Sequence, residues 1–217
     1  PSGEDGLMGA AAVLTLPPQP ADVSAAEPPV AQPAAAAGPT TRDPARLPAG
    51  DYVLDRSHAS LVARVSHMGF SRYTLRFTKL DAGFTYDPAA PEKTRITVSV
   101  DPTSLDTGSS SFSKALANGA TWLNAGAFPK ITFTSTAVTP GTDGVGQVTG
   151  DLTFLGVTRP LVLDVHWNGV GPGLFGGTRT GFSATAHIKR SDFGNKTDLP
   201  VVGDDVDFEI EVEFYRT

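Results

Sequence analysis

Residues 58 to 77 read His-Ala-Ser-Leu-Val-Ala-Arg-Val-Ser-His-Met-Gly-Phe-Ser-Arg-Tyr-Thr-Leu-Arg-Phe. Leu61, Ala63 and Val65 alternate with Val62, Arg64 and Ser66, and beyond Met68-Gly69 a second alternation sets Tyr73, Leu75 and Phe77 against Thr74, Arg76 and Thr78. A period of two means side chains on opposite faces of a strand, so the stretch predicts strand, corner, strand. Gly69 can take the left-handed backbone conformation that the corner requires. His58 and His67, two of the four histidines, bracket the first strand at its entry turn and at the corner.

The same texture runs outward from this stretch to the C-terminus. Strands are expected at 52–56, 60–67, 73–80, 82–87, 94–101, 130–138, 147–155, 160–168, 179–189 and 205–215, roughly eight to ten after merging. In the last, Val206, Phe208, Ile210, Val212 and Phe214 face one way, while Asp207, Glu209, Glu211 and Glu213 face the other. One buried and one wet face is the signature of an antiparallel sheet. Turns are marked at Asp87-Pro88, Pro140-Gly141, Asp143-Gly144 and Gly169 to Gly177. So many meandering strands must stack as a sandwich or close as a barrel.

Ser109 to Asn124 departs from the strand pattern. Serines able to cap a helix precede Ala115-Leu116-Ala117, and Asn118-Gly119 follows as a stop, predicting one or two helical turns. Phe112, Leu116, Trp122 and Leu123 give this insert an apolar surface that either plugs an open end of the sheet or roofs a cavity.

Residues 1 to 50 differ in kind. They hold ten of the 18 prolines and the alanine run Ala34 to Ala37, with little to bury. Such a segment cannot offset its ordering entropy, and a disordered Ala/Pro-rich linker or tail is expected before a folded domain at 51–217. Gly6 to Leu16 is its only apolar run, too short to span a bilayer. Because the chain starts at Pro1 and such tails suit spacing from an envelope, an export signal or anchor upstream is expected.

The 217 residues contain no cysteine, which removes disulfides, thiol catalysis and thiolate metal sites. The net charge is −6 with no basic cluster, so nucleic acid is not an expected partner. Ser104 and Asp106 lack a nucleophile-elbow context, and a hydrolase triad is rejected. His166 and His187 alternate out of phase with their apolar neighbours, which argues against a four-histidine metal site; no metal and no cofactor is expected. His58 follows Asp55 by three and suits a hydrogen bond within the turn. Arg190-Ser-Asp-Phe-Gly194 ends a strand and suits tying down a loop. Phe70, Phe77, Phe84, Phe133, Phe154, Trp167, Phe182 and Phe208 can fill a core or, in an eight-stranded barrel, line a slot for one ligand.

Six phrases occur in family order: Tyr52-Val-Leu-Asp-Arg-Ser-His58 with Val65-Ser-His-Met-Gly-Phe-Ser71; Ser104-Leu-Asp-Thr107; Phe128-Pro-Lys-Ile-Thr-Phe-Thr-Ser-Thr136; Thr149-Gly-Asp-Leu-Thr153 with Gly156-Val-Thr-Arg-Pro160; Gly181-Phe-Ser through Lys189-Arg-Ser-Asp-Phe-Gly194; and Gly203-Asp-Asp-Val206. Together they resemble the YceI-like family across 51–217 and leave the tail out. The resemblance implies an all-β, antiparallel, lipocalin-like barrel of about eight strands with a short helical insert. It also implies a bacterial envelope or periplasmic setting and the binding, storage or transport of a long-chain isoprenoid lipid or quinone, rather than an enzyme. On that basis the slot is expected to be hollow, with His67 at the ligand head group and the insert, through Leu116 and Trp122, as a lid. Where the family has Arg-Asp-x-His-Leu, this chain has Ser-Ser-Ser-Phe-Ser-Lys-Ala-Leu, so charged groups that would meet a head group there are missing. Partners compatible with the resemblance are an apolar long-chain lipid, a transient membrane contact, a membrane b-type cytochrome and a second copy as homodimer. An enzyme acting on a lipid or quinone through His67 or His58, and a filled barrel serving as an interaction module, are the competing expectations.

Overall fold

The computed structural model describes residues 40–217. Its strands are β1 (Gly50–His67), β2 (Ser71–Phe77), β3 (Leu80–Tyr86), β4 (Arg95–Val100), β5 (Leu105–Asp106), β6 (Ile131–Pro140), β7 (Val145–Phe154), β8 (Val157–Pro172), β9 (Thr178–Lys189) and β10 (Val202–Arg216); one α-helix, α1 (Ser110–Asn118), lies between β5 and β6. The sheet order is β10-β9-β8-β7-β6-β4-β3-β1-β2-β5, and β10 pairs back onto β1. That last pairing closes an antiparallel barrel of eight strands, with β2 prolonging the line of β3 and β5 appended to it. Closure removes the exposed edges that an open sheet would present.

The two stretches expected as separate strands at 52–56 and 60–67 are one strand with a bulge. Opposite β10, Leu54 pairs with Phe214 and Ala59 with Val212, so residues 55 to 58 bulge against Glu213. The bulge changes which parity points inward: Tyr52 and Leu54 below it are buried, and Ala63 and Val65 above it are buried. A phase change looks like a turn in sequence, whereas the pairing runs on. Asp55 holds it together. Its carboxylate accepts from the Ser57 N–H at 3.0 Å and Ser57 Oγ at 2.5 Å, lies 3.0 Å from His58 Nδ1 and pairs with Arg179 at 2.6 Å. The expected turn-stabilising role of His58 is therefore observed. These partners, the Ser57 hydrogen bond first and Arg179 and His58 after it, hold the Asp55 carboxyl below the ordinary carboxylate range. Two further register shifts, at Ser135/Ala137 in β6 and Trp167/Gly169 in β8, change phase in the same manner.

One end of the barrel is filled. The Tyr52 and Phe84 rings stack at 4.7 Å, Phe84 meets Phe214 edge-on at 5.0 Å, and Phe182 stands edge-on to both, at 5.8 and 6.0 Å. Trp167 joins this floor, its Nε1–H donating to Thr180 Oγ1 at 2.7 Å, while the Thr180 hydroxyl donates to the Gly169 carbonyl at 2.9 Å. Phe84, Trp167 and Phe182, candidates for the ligand slot, are thus floor residues. Phe70, a fourth candidate for the slot, is 84% exposed beyond the β1–β2 corner and lines nothing inside.

The folded part also begins earlier than residue 51. Thr41 and Val170 exchange backbone hydrogen bonds of 2.8 and 2.9 Å, Leu47 is buried in the floor cluster, and the Tyr52 hydroxyl donates to the Pro48 carbonyl at 2.7 Å. Residues 40–50, read from composition as linker, are a strap beneath the floor; the rest of that segment lies outside the described residues. Phe84→Ala should cost about 3–5 kcal/mol of stability, the usual range for a buried aromatic, read as a lower urea midpoint with an unchanged m-value. A loss below about 1 kcal/mol would mean that the aromatic floor is not where the fold is held.

Candidate functional site

Above the floor the barrel is hollow. A cavity of about 650 Å³ lies within it, inside the ~300–1,000 Å³ range usual for ligand sites. The wall is built from the inward positions of β1, β2, β4, β6, β7, β8, β9 and β10, among them Leu61, Leu75, Leu152, Leu161, Val206 and Ile210. Several, such as Leu61, Leu75 and Leu161, are only half-buried because their inner faces look into the void. Ala63 and Ala186 supply room where bulkier residues would meet across it.

Seven of the eleven residues expected in a slot line this cavity: His67, Phe77, Leu116, Trp122, Phe133, Phe154 and Phe208. The insert forms a roof rather than a plug. Phe112, Leu116, Trp122 and Leu123 all face the cavity, and Ala117 is buried behind them. The helix starts after Ser109, but no Ser109 hydroxyl caps it; Ser113 Oγ donates to the Ser109 carbonyl at 2.8 Å and accepts the Thr107 N–H at 2.9 Å. Gly119 ends the helix for a reason other than handedness, since its φ is −60°. A Cβ there would stand 2.7 Å from the Ala115 carbonyl oxygen and 3.1 Å from the Trp122 ring, so glycine lets the chain turn closely enough to swing Trp122 inward.

Polar lining is concentrated toward one end, where β1, β9 and β10 meet the segment 190–201. His67, Arg190, Asn195 and Asp198 are found there. Arg190 is buried, and its guanidinium donates to the carbonyls of Gly203 at 2.7 Å and Val202 at 2.8 Å and to Asn195 Oδ1 at 2.7 Å. Its guanidinium carbon also sits 5.8 Å from the centroid of the Trp122 ring. Burial pushes its pKa down, with Asp204 and Asp198 opposing from a distance. Loop-fastening is therefore its observed role, as the Arg-Ser-Asp-Phe-Gly phrase suggested, with Asp204 rather than Asp192 holding the backbone N–H and hydroxyl of Ser191 at 2.8 and 2.7 Å. That Arg190 and Asn195 also border the cavity was not anticipated. The only sequence signal is the position of the phrase at the end of a strand with inward-facing Ala184, Ala186 and Ile188.

His67 is exposed at the mouth, 6.4 Å from the Tyr73 ring. Its placement permits contact with a polar group at the top of the cavity, where a neutral imidazole donates or accepts. Ser104, by contrast, is buried in a turn, donating to the Asp101 carbonyl at 2.7 Å and accepting the Lys79 N–H at 3.0 Å. Asp55, His58 and Glu213 approach one another on the outer wall in a way that could surround a cation. Arg179 bridges two of them, at 2.6 Å from Asp55 and 2.9 Å from Glu213, so the cluster is an ion-pair network. Among the described residues no helix is long and apolar enough to cross a membrane.

The YceI-like domain family matches residues 52–214. This chain belongs to the YceI-like family. A UPF0312 protein of Shewanella baltica strain OS185 is 37% identical over 175 residues, covering 80% of this chain and 91% of its own. Protein YceI of Escherichia coli O157:H7 is 39% identical over 167 residues, covering 76% and 86%. Among solved structures, Burkholderia cenocepacia BcnA superposes with a TM-score of 0.64 at 26% identity, over 74% of this chain and 98% of its own. A polyisoprenoid binding domain from Saccharophagus degradans superposes with a TM-score of 0.57 at 17% identity, over 76% and 98%, a likeness of fold.

On the outer wall of this YceI-like barrel, near the mouth, His187 joins two carboxylates. Its Nδ1 lies 2.8 Å from Asp207 and its Nε2 3.0 Å from Asp205, which also takes Lys189 at 2.8 Å. The Asp207 hydrogen bond raises the His187 pKa, desolvation opposes it, and Asp205 adds to the rise. A folded-state pKa above the unfolded value, about 6.5, means that the stabilisation is complete below that value and is lost as pH rises through the folded one. The difference in urea midpoint between the native chain and His187→Gln should therefore be widest below about pH 6 and close as the pH is raised. A difference independent of pH would show that protonation of the ring is not what stabilises this site.

Proposed function

We propose that the cavity takes the apolar tail of a long-chain isoprenoid lipid or isoprenoid quinone, and that the barrel binds, stores or carries that molecule in the bacterial cell envelope, in the periplasm. The observation that carries this reading is the distribution of polarity: an apolar lumen of about 650 Å³ with its polar side chains gathered at the mouth. A molecule with a long hydrocarbon tail and one polar end fits that distribution, tail down and head at His67. The fold likeness to a polyisoprenoid binding domain supports the same class of ligand. At about 30 Å³ per water-sized group, the lumen holds on the order of twenty carbons, so a longer tail extends past the mouth.

The energetics suit a carrier. Burial removes each methylene from water at about 0.8 kcal/mol, so a tail is held strongly against solvent. Against a bilayer the same tail gains little, because lipid is equally apolar. Exchange then depends on the head group, on packing and on opening of the mouth. A lumen of this size leaves a filled interaction barrel without support, and His58, engaged with Asp55 in the bulge of the outer wall, is not placed to act on a ligand inside.

Mass spectrometry of an organic extract from protein purified out of a quinone-producing host should show a stoichiometric isoprenoid. An empty extract, repeated after incubation with membranes, would overturn the reading. Ala186→Phe places a ring in the lumen and should reduce tail retention about tenfold or more with little change in the melting temperature; retention at the native level would mean that the tail lies elsewhere.

A further inference from the structure

The rim of the open end carries apolar side chains that the barrel itself does not use. Met68 is 55% exposed and Phe70 84% exposed on the β1–β2 corner, and Val201 and Phe112 stand exposed beside the same opening. Two contacts tie parts of this rim together. The Met68 N–H donates to the Val201 carbonyl at 2.7 Å, and the Phe112 ring meets Tyr73 edge-on at 6.1 Å. Each is next, in chain or in space, to a residue of the lumen: His67 precedes Met68 and its carbonyl accepts the Phe70 N–H at 3.0 Å, Val202 follows Val201, and Phe112 and Tyr73 line the cavity themselves. Apolar surface thus continues from the outside of the rim through the mouth into the lumen.

Water-exposed corners are ordinarily polar, and large apolar side chains gathered on one rim mark an interaction surface. Charge narrows the partner. Around the mouth, Lys189, Arg190 and Lys196, with Arg72 on the corner and Lys114 on the roof helix, stand among Asp192, Asp198, Asp204, Asp205 and Asp207, and Arg72 and Lys189 are paired with Asp207 and Asp205. A rim of mixed, paired charge without a basic cluster has little to gain from anionic head groups, which attract polybasic segments. Its contact with a lipid surface must be apolar.

We propose that the rim is a docking surface for a bilayer of zwitterionic lipid, with Met68 and Phe70 entering the interface so that the mouth opens onto the acyl chains. The proposal rests on the tail-binding reading of the cavity and adds its loading route. A tail passing between bilayer and barrel through water would expose its whole length, and a mouth applied to the bilayer removes that crossing. Tyr73, just inside the rim, has the amphipathic character that favours the membrane interface.

The opposite end provides a control. Leu174 and Phe175, 96% and 102% exposed, sit on the β8–β9 turn at the floor end, away from the cavity. The full chain would be floated with phosphatidylcholine vesicles and assayed for uptake of radiolabelled geranylgeraniol, delivered either in those vesicles or by dilution from ethanol. The native chain should float. Met68→Asn combined with Phe70→Ser should lose flotation at least fivefold and slow uptake from vesicles by a similar factor, with uptake from ethanol unchanged. Leu174→Ser combined with Phe175→Ser should behave as native, and added phosphatidylglycerol should not increase binding. The proposal is overturned if the rim variant floats as the native chain does, if the floor-end variant is the one that fails, or if binding requires anionic lipid. Flotation alone decides docking, while uptake from ethanol alone decides whether the cavity takes a tail, so the two ideas fail separately.

Discussion

The pairing of β1 with β10 is the constraint on which the rest of this structure depends. It is the seam that closes the sheet, and β1 serves both ends of the barrel, pairing with β3 along Gly50–Val53 and with β2 along Leu61–His67. Because side chains alternate along a strand, a seam of fixed register determines which residues enter the lumen along its whole length. The bulge at Asp55–His58 lets one strand satisfy two demands. Without it, the parity that sends Tyr52 and Leu54 into the floor would turn Leu61, Ala63 and Val65 to the outside. The ion-pair cluster of Asp55, His58, Arg179 and Glu213 therefore belongs to the architecture of the cavity, although it lies on the opposite face of the wall.

Alternation made the strands, their inward faces and the helical insert legible in the sequence, and the family phrases indicated a barrel. Depth along the barrel was not legible. Phe77, Phe133, Phe154 and Phe208 line the lumen, whereas Phe84 and Phe182 have the same inward orientation but stand in the floor. Parity is a property of one strand; height depends on the stagger between strands, which pairing partners far apart in sequence decide. Phe70 was misplaced for a related reason. Hydrophobicity invites burial, yet it falls just after the corner residues Met68 and Gly69, both at positive φ, where the chain has already left the wall. The strap at residues 40–50 was hidden by composition, since a proline-rich segment with one buried leucine carries no periodic signal.

The two halves of the interior solve different problems. The floor gathers aromatic rings and a hydrogen-bonded indole, and it lies against the strap and the end of the seam. The upper half cannot be packed in that way and remain a container. Its wall is lined by aliphatic residues and four phenylalanines with alanines between them, and the roof is one short helix and a turn, held at Asn195, which donates to the Trp122 carbonyl at 3.2 Å, and at Thr197, which donates to the Thr121 carbonyl at 2.6 Å. These two hydrogen bonds connect the roof to the same segment that Arg190 fastens to β10. Roof and mouth are thereby tied together, while Ala117, Leu116 and Leu123 pack the inner side of the roof onto the cluster that holds the floor.

An apolar lumen has an energetic consequence for the empty protein. At ~24 cal/mol per Å³ of unfilled core, 650 Å³ corresponds to about 15 kcal/mol of forgone packing, as large as the whole stability of an ordinary domain. This is an upper limit, because an open lumen admits water. Even a fraction of it is a strong preference for an occupied state, and a ligand that binds only the folded barrel returns that energy as stability in proportion to its occupancy. On the proposed carrier reading, the aromatic floor and the closed seam are what allow the fold to persist between one occupant and the next. A barrel stabilised chiefly by its cargo could not release it; one stabilised at its base can hold an apolar tail and still give it up to another apolar phase.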